Sequence, residues 1–146
     1  MTEQDWHQIK HFSPAENWGD PSRMEVAFIQ RLDAFRSCIE SPVIITCGTQ
    51  GRHRENSLHG YGLAVDCVIP GRPLLDNWID ACRFDFTGLG FYPDWEYKGK
   101  QTGGLHLEWD SGEDVRRFWM GIGKHHWDTQ YVGMNRTNLQ MFYLKQ

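Results

Sequence analysis

The sequence predicts an α+β fold, one compact domain of 146 residues in which a small, mostly antiparallel sheet packs against helices. Three observations lead there. Apolar stripes at helical spacing are interspersed with short β-branched or alternating segments, without the regular strand–helix–strand order of a parallel sheet. Hydrophobic residues make up 40% of the chain and charged ones 23%, with seven Trp and eight Phe, a composition that folds. A chain of this length buries one sizeable core and not two, and it shows no repeat or linker.

Taken in order, residues 1–20 form a polar and aromatic arm, expected to lie irregularly on the domain. Asp20 or Ser22 caps the next segment, Pro21 suits a first turn, and Ser22 with Glu25 has the spacing of a capping box. Met24, Phe28, Leu32, Phe35 and Ile39 then make one apolar helical stripe. VIITC (43–47) reads as a buried strand, GTQGRHREN (48–56) as a loop and LAVDCVI (63–69) as a second strand. PGRP (70–73) turns the chain into an amphipathic helix over 74–84, and FTGLGFYP (86–93) supplies a short strand. GLHLEWD (104–110) alternates Leu105, Leu107 and Trp109 against His106, Glu108 and Asp110, as a strand with one apolar and one polar face does. Residues 111–126 read as a helix striped by Val115, Phe118, Trp119 and Ile122, and 137–144 as a final strand.

The net charge of −4 and scattered basic residues argue against nucleic acid, which calls for a basic footprint. No run of about 18 apolar residues exists to span a membrane. The first residues, MTEQDWHQIKHF, lack the basic start and apolar stretch of a secretory leader, so cytoplasmic synthesis is expected. Cysteines 38, 47, 67 and 82 form no CxxC pair, and each sits beside apolar residues, which suits buried reduced thiols. A monomer is expected.

Chemistry concentrates in SLHGYGLAVD (57–66). Asp66 interrupts an otherwise apolar strand, where a carboxylate has to be paired, hydrogen-bonded or metal-bound. Gly60 and Gly62 allow tight backbone geometry after His59, bringing it back over that strand. His106, on the polar row of GLHLEWD, is a third candidate. His, Asp and His together suit a catalytic zinc that keeps a fourth position for water, although the same donors accept other divalent ions. The plainer alternative is a structural Asp66 capping loop amides beside ordinary histidines.

SLHGYGLAVD resembles the SxHxxGxAxD signature of the zinc D-Ala-D-Ala carboxypeptidases and endolysin peptidases (peptidase family M15), with Ser57, His59, Gly62, Ala64 and Asp66 in register. GLHLEWD resembles the family segment that carries the last zinc histidine, here His106. The likeness spans roughly residues 12–125. It implies a hedgehog-like metallopeptidase fold, Zn2+ on His59, Asp66 and His106, and hydrolysis of peptidoglycan peptides containing D-amino acids. Bacterial wall remodelling and a phage or prophage lysis role both suit that activity, and the missing leader favours the latter. Many relatives carry an acidic base three residues before the last histidine, where this chain has Gly103. Glu108 is then the nearest acidic candidate, as general base or as a group orienting His106, with Asp94, Glu96 and Asp110 as more distant alternatives. Arg54, with Arg52 beside it, lies where relatives hold a substrate carboxylate. A binding domain that keeps the fold without turnover is the alternative.

Overall fold

The computed structural model of the protein describes residues 1–51, 56–112, 116–124 and 128–143. The arm has more order than its composition suggests. Thr2 caps a short helix, α1 (Glu3–Trp6): its hydroxyl accepts from the Asp5 amide, while the Asp5 carboxylate accepts from the Thr2 amide at 2.7 Å. Trp6, Ile9, Phe12 and Trp18 are buried, with Trp18 packed against both Trp6 and Phe12. The arm is a built-in layer of the core.

Asp20 caps a 3-10 turn (Pro21–Arg23) by accepting from the Ser22 amide. Helix α2 (Val26–Ile39) starts only after it, with no side-chain cap at Glu25, so the expected capping box does not form. The predicted stripe is correct: Phe28, Leu32, Phe35 and Ile39 are buried, with Ile29 beside them and Met24 just ahead of the helix. Asp33 and Arg36 on α2 bind the arm backbone, Asp33 accepting from the Lys10 and His11 amides and Arg36 donating to the His11 carbonyl.

The predicted strands fall at β1 (Ile44–Cys47) and β2 (Ala64–Val68), followed by α3 (Leu74–Cys82) and β3 (Gly88–Tyr92). The YKGK turn closes an unforeseen two-stranded hairpin, β4 (Glu96–Tyr97) with β5 (Lys100–Gln101). It leads into β6 (Gly104–Glu108), β7 (Arg117–Ile122) and β8 (Gln130–Gly133). The main sheet has six strands in the order β1-β2-β6-β3-β7-β8, antiparallel throughout except for the β3–β7 pair. One face of this sheet carries Val65, Cys67, Leu89, Phe91, Leu105, Leu107 and Met120 into a single buried cluster with the helices and the arm. Trp78 of α3 packs edge-on to Phe91 and Phe118 of that face.

Two element assignments were wrong. Within 111–126 the described residues contain strand β7, not a helix. Phe118 and Met120 point one way and Trp119 and Gly121 the other, and pairing with β3 and β8 satisfies a backbone that the sequence periodicity assigned to a helix. The tail is helix α4 (Arg136–Tyr143), not a strand. Asn135 accepts from the Asn138 amide at 2.9 Å at its start, an N-cap bond of the kind that favours helix over strand. Among the described residues no helix is long and apolar enough to cross a membrane. The four cysteines, all described, form no disulfide, but Cys38 is exposed and not buried as expected.

Candidate metal centre

Directly opposed residues on neighbouring strands project to the same face of a sheet. Two such rows build the site on the face opposite the core. The first runs Cys47, Asp66, His106, Gly90 and Trp119 across β1, β2, β6, β3 and β7. The second runs Ala64, Glu108, Gly88 and Arg117 across β2, β6, β3 and β7. The two glycines of GLGFY are what make room. A side chain at Gly88 would collide with the Glu108 carboxylate, and one at Gly90 with the Tyr92 and Trp119 rings.

His59 reaches this face from outside the sheet. SLHGY folds into a 3-10 turn (Leu58–Tyr61), which Gly62 ends in the left-handed region at φ 70°. The Leu63 amide then donates to the Leu58 carbonyl, closing the turn over β2. Gly62 also lies against the backbone before α2: its carbonyl accepts from the Glu25 amide, and a Cβ there would strike the Arg23 carbonyl oxygen. His59 is thereby buried, 4% exposed, with its ring directed at Asp66 and His106.

The hydrogen bonds settle which ring nitrogens face inward. His59 donates from Nδ1 to the Gly48 carbonyl at 2.7 Å, leaving Nε2 towards the other two residues. Glu108 Oε2 lies 2.9 Å from His106 Nε2, leaving His106 Nδ1 on the inner side. His59 Nε2, Asp66 Oδ1 and His106 Nδ1 then stand 3.5, 2.9 and 3.2 Å apart, taken as His59–Asp66, Asp66–His106 and His59–His106. Three atoms that each offer a lone pair cannot crowd together without a shared proton or cation. Ligands at about 2.0–2.2 Å from a tetrahedral ion lie about 3.3–3.6 Å apart, so these donors need only small outward shifts to hold one. The residues present fit a divalent metal. Cys47, His59 and Asp66 also form a group able to hold an ion, their ligand atoms all within 4.8 Å of one another.

Electrostatics agree with a cation-shaped site. Burial pushes the Asp66 pKa up, but hydrogen bonds and charge from His106 and His59 outweigh it and hold the carboxyl well below the usual range. Burial pulls His106 down, yet Asp66 and Glu108, one on each ring nitrogen, raise it to about 9. Metal-free, the proton sits on His106 between two carboxylates. Burial, and then the Asp66 charge, push the Cys47 thiol up to about 12.

Glu108 is buried beside the outer nitrogen of His106, and its other oxygen accepts from Arg117 Nη2 at 2.7 Å. That is the geometry of an orienting carboxylate, on the side of the ring away from the three converging atoms. Burial raises the Glu108 pKa, but His106 and then Arg117 outweigh it, so it stays ionised for this role. Replacing Glu108 with Ala is expected to weaken Zn2+ binding by roughly 10–100-fold in a chelator competition. Unchanged affinity with lost turnover would instead mark Glu108 as a proton carrier.

Of the remaining candidates, Arg52 and Arg54 lie outside the described residues. Gly103 precedes β6 at φ 63°, and a Cβ there would press on Leu74, so the backbone at this position is itself suited to glycine. Asp94 accepts from the Gly123 amide and Glu96 pairs with Lys124. Sequence reasoning missed Cys47, Arg117 and Trp119 and the two glycines under them, while Tyr92 and Trp95 read there as aromatics able to line a cleft or fill a core or rim. Trp119 donates to the Tyr92 hydroxyl at 2.9 Å, Tyr92 stacks on Trp95 at 4.1 Å, and the Trp119 ring lies 5.2 Å from that of His106. GLG between two apolar strand residues was the available signal. Comparison of the chain with protein-family models, curated proteins and solved structures gives no match.

Proposed function

We propose that this protein is a zinc-dependent peptidase that hydrolyses a peptide bond in peptidoglycan stem or cross-bridge peptides. The observation that carries the metal reading is the convergence of His59 Nε2, Asp66 Oδ1 and His106 Nδ1, with the outer nitrogens of both rings hydrogen-bonded. The substrate class rests on the SLHGYGLAVD and GLHLEWD resemblance. Zinc held there would supply a water of lowered pKa and polarise a scissile carbonyl. His59, Asp66 and His106 hold the ion, Glu108 and Arg117 fix the His106 ring, and Tyr92 with Trp119 forms a wall beside it. Burial keeps the Tyr92 hydroxyl protonated, hence able to donate.

A second reading, a metal-bearing domain that binds wall peptides without cleaving them, is favoured by one observation. Both Glu108 oxygens are engaged away from the converging atoms. One experiment separates the two. Purified peptidoglycan peptides are incubated with zinc-loaded and chelator-treated protein, and new termini are identified by mass spectrometry. Cleavage that depends on zinc and disappears in Asp66→Asn supports the peptidase. Retention of the peptides without new termini supports the binding domain, and absence of both binding and cleavage overturns the wall-peptide assignment.

A further inference from the structure

The resting metal centre has a further donor at hand. Strand β1 carries a bulge: Ile45 pairs with Cys67, but Cys47, not Thr46, pairs with Asp66. One extra residue in a strand reverses the facing of everything after it. Without the bulge Thr46 would oppose Asp66, and Cys47 would project to the other face. With it, the Cys47 side chain joins the row of Asp66 and His106, its Sγ within 4.8 Å of ligand atoms on both His59 and Asp66. Cys47 Sγ lies 3.3 Å from the Gln50 carbonyl and 3.8 Å from that of Gly48, the carbonyl that anchors His59.

We propose that Cys47 is the fourth ligand of a divalent metal held by His59, Asp66 and His106, so that the resting centre is closed by a thiolate. The proposal rests on the three-ligand site described above and goes beyond it. Binding breaks the Cys47 S–H bond, forms a sulfur–metal bond and releases the proton to solvent. Opening the centre reverses this: water takes the vertex and the departing thiolate regains a proton. Charge favours the closed form. A divalent ion with Asp66 alone leaves one net positive charge among the ligands, whereas Asp66 and a Cys47 thiolate together cancel it, which matters where burial penalises net charge. Sulfur bonds to zinc at about 2.3 Å, so Sγ has to close in by roughly 1 Å from the outer limit of its present separation. In this state the centre has no vertex for water, and a peptidase built on it is latent until Cys47 leaves.

Cobalt(II) is the probe, because a thiolate ligand gives it an intense near-ultraviolet charge-transfer band. The expected result is stoichiometric Co2+ uptake with that band in the native protein. Cys47→Ser then loses the band, still binds Co2+, and shows an affinity lowered by roughly tenfold or more. Alkylation of Cys47 in the native protein, followed by mass spectrometry, gives a readout independent of the variant's folding: Zn2+ should protect this thiol. Co2+ bound without the band, a band that survives in Cys47→Ser, or alkylation of Cys47 unaffected by Zn2+ each overturns the thiolate ligand while leaving the three-ligand centre intact. Failure to bind Co2+ or Zn2+ at all overturns both.

Discussion

Asp66→Asn is expected to lower Zn2+ affinity by at least roughly a hundredfold, more than the loss of an orienting group outside the ligand set. The substitution keeps the size of the side chain and an oxygen able to accept from His106, so the sheet register between β2 and β6 should survive. What it removes is the only negative charge among the three converging donors, His59, Asp66 and His106. Calorimetric titration of the native and variant proteins measures the difference, with circular dichroism as the check on folding. The native titration carries a pH signature as well. His106 holds a proton up to about 9 in the metal-free protein, and zinc has to displace it. Apparent affinity therefore rises with pH below about 9 as His106 loses this proton, and displacement of the Cys47 proton by the same ion extends the rise above it. Affinity that is indifferent to Asp66→Asn would place the ion elsewhere.

Gly62→Ala is the second large effect, and it acts on the scaffold. Placing a Cβ in the left-handed region costs about 1–2 kcal/mol. Here the Cβ also meets a backbone carbonyl, that of Arg23, which cannot swing aside as a flexible side chain would. Together these should cost about 3 kcal/mol of stability, read from urea unfolding. Surviving protein should bind zinc more weakly, since the turn that carries His59 ends at Gly62. Gly60 is the control. Nothing lies within 4 Å of a Cβ added there, so Gly60→Ala should stay within about 0.5 kcal/mol of the native protein. Equal effects at the two glycines would contradict this account of the turn.

That contrast also marks what the sequence could reveal. The spacing of His59 and Asp66 and the polar row of GLHLEWD were legible because turn glycines and strand alternation leave direct traces. The helical stripe of α2 was legible for the same reason. Strand β7 was not: Phe118, Trp119 and Ile122 satisfy a helical spacing, and only pairing with β3 and β8 settles the backbone. The tail helix was hidden by β-prone Phe and Tyr residues. Cys47 could not have been placed, because its facing depends on a bulge that VIITC does not announce. Arg117 gained its part only when β7 came to lie beside β3, where Gly88 lets Glu108 reach across. Local pattern marked the ligands, and long-range register supplied the residues that orient them.

The most direct measurement is X-ray diffraction from crystals grown with Zn2+, recorded on both sides of the zinc absorption edge. The account predicts one anomalous peak on the open face of the sheet, about 2.0–2.2 Å from His59 Nε2, Asp66 Oδ1 and His106 Nδ1 together. Zinc bound elsewhere, with His106 Nδ1 still donating to Asp66, would contradict it.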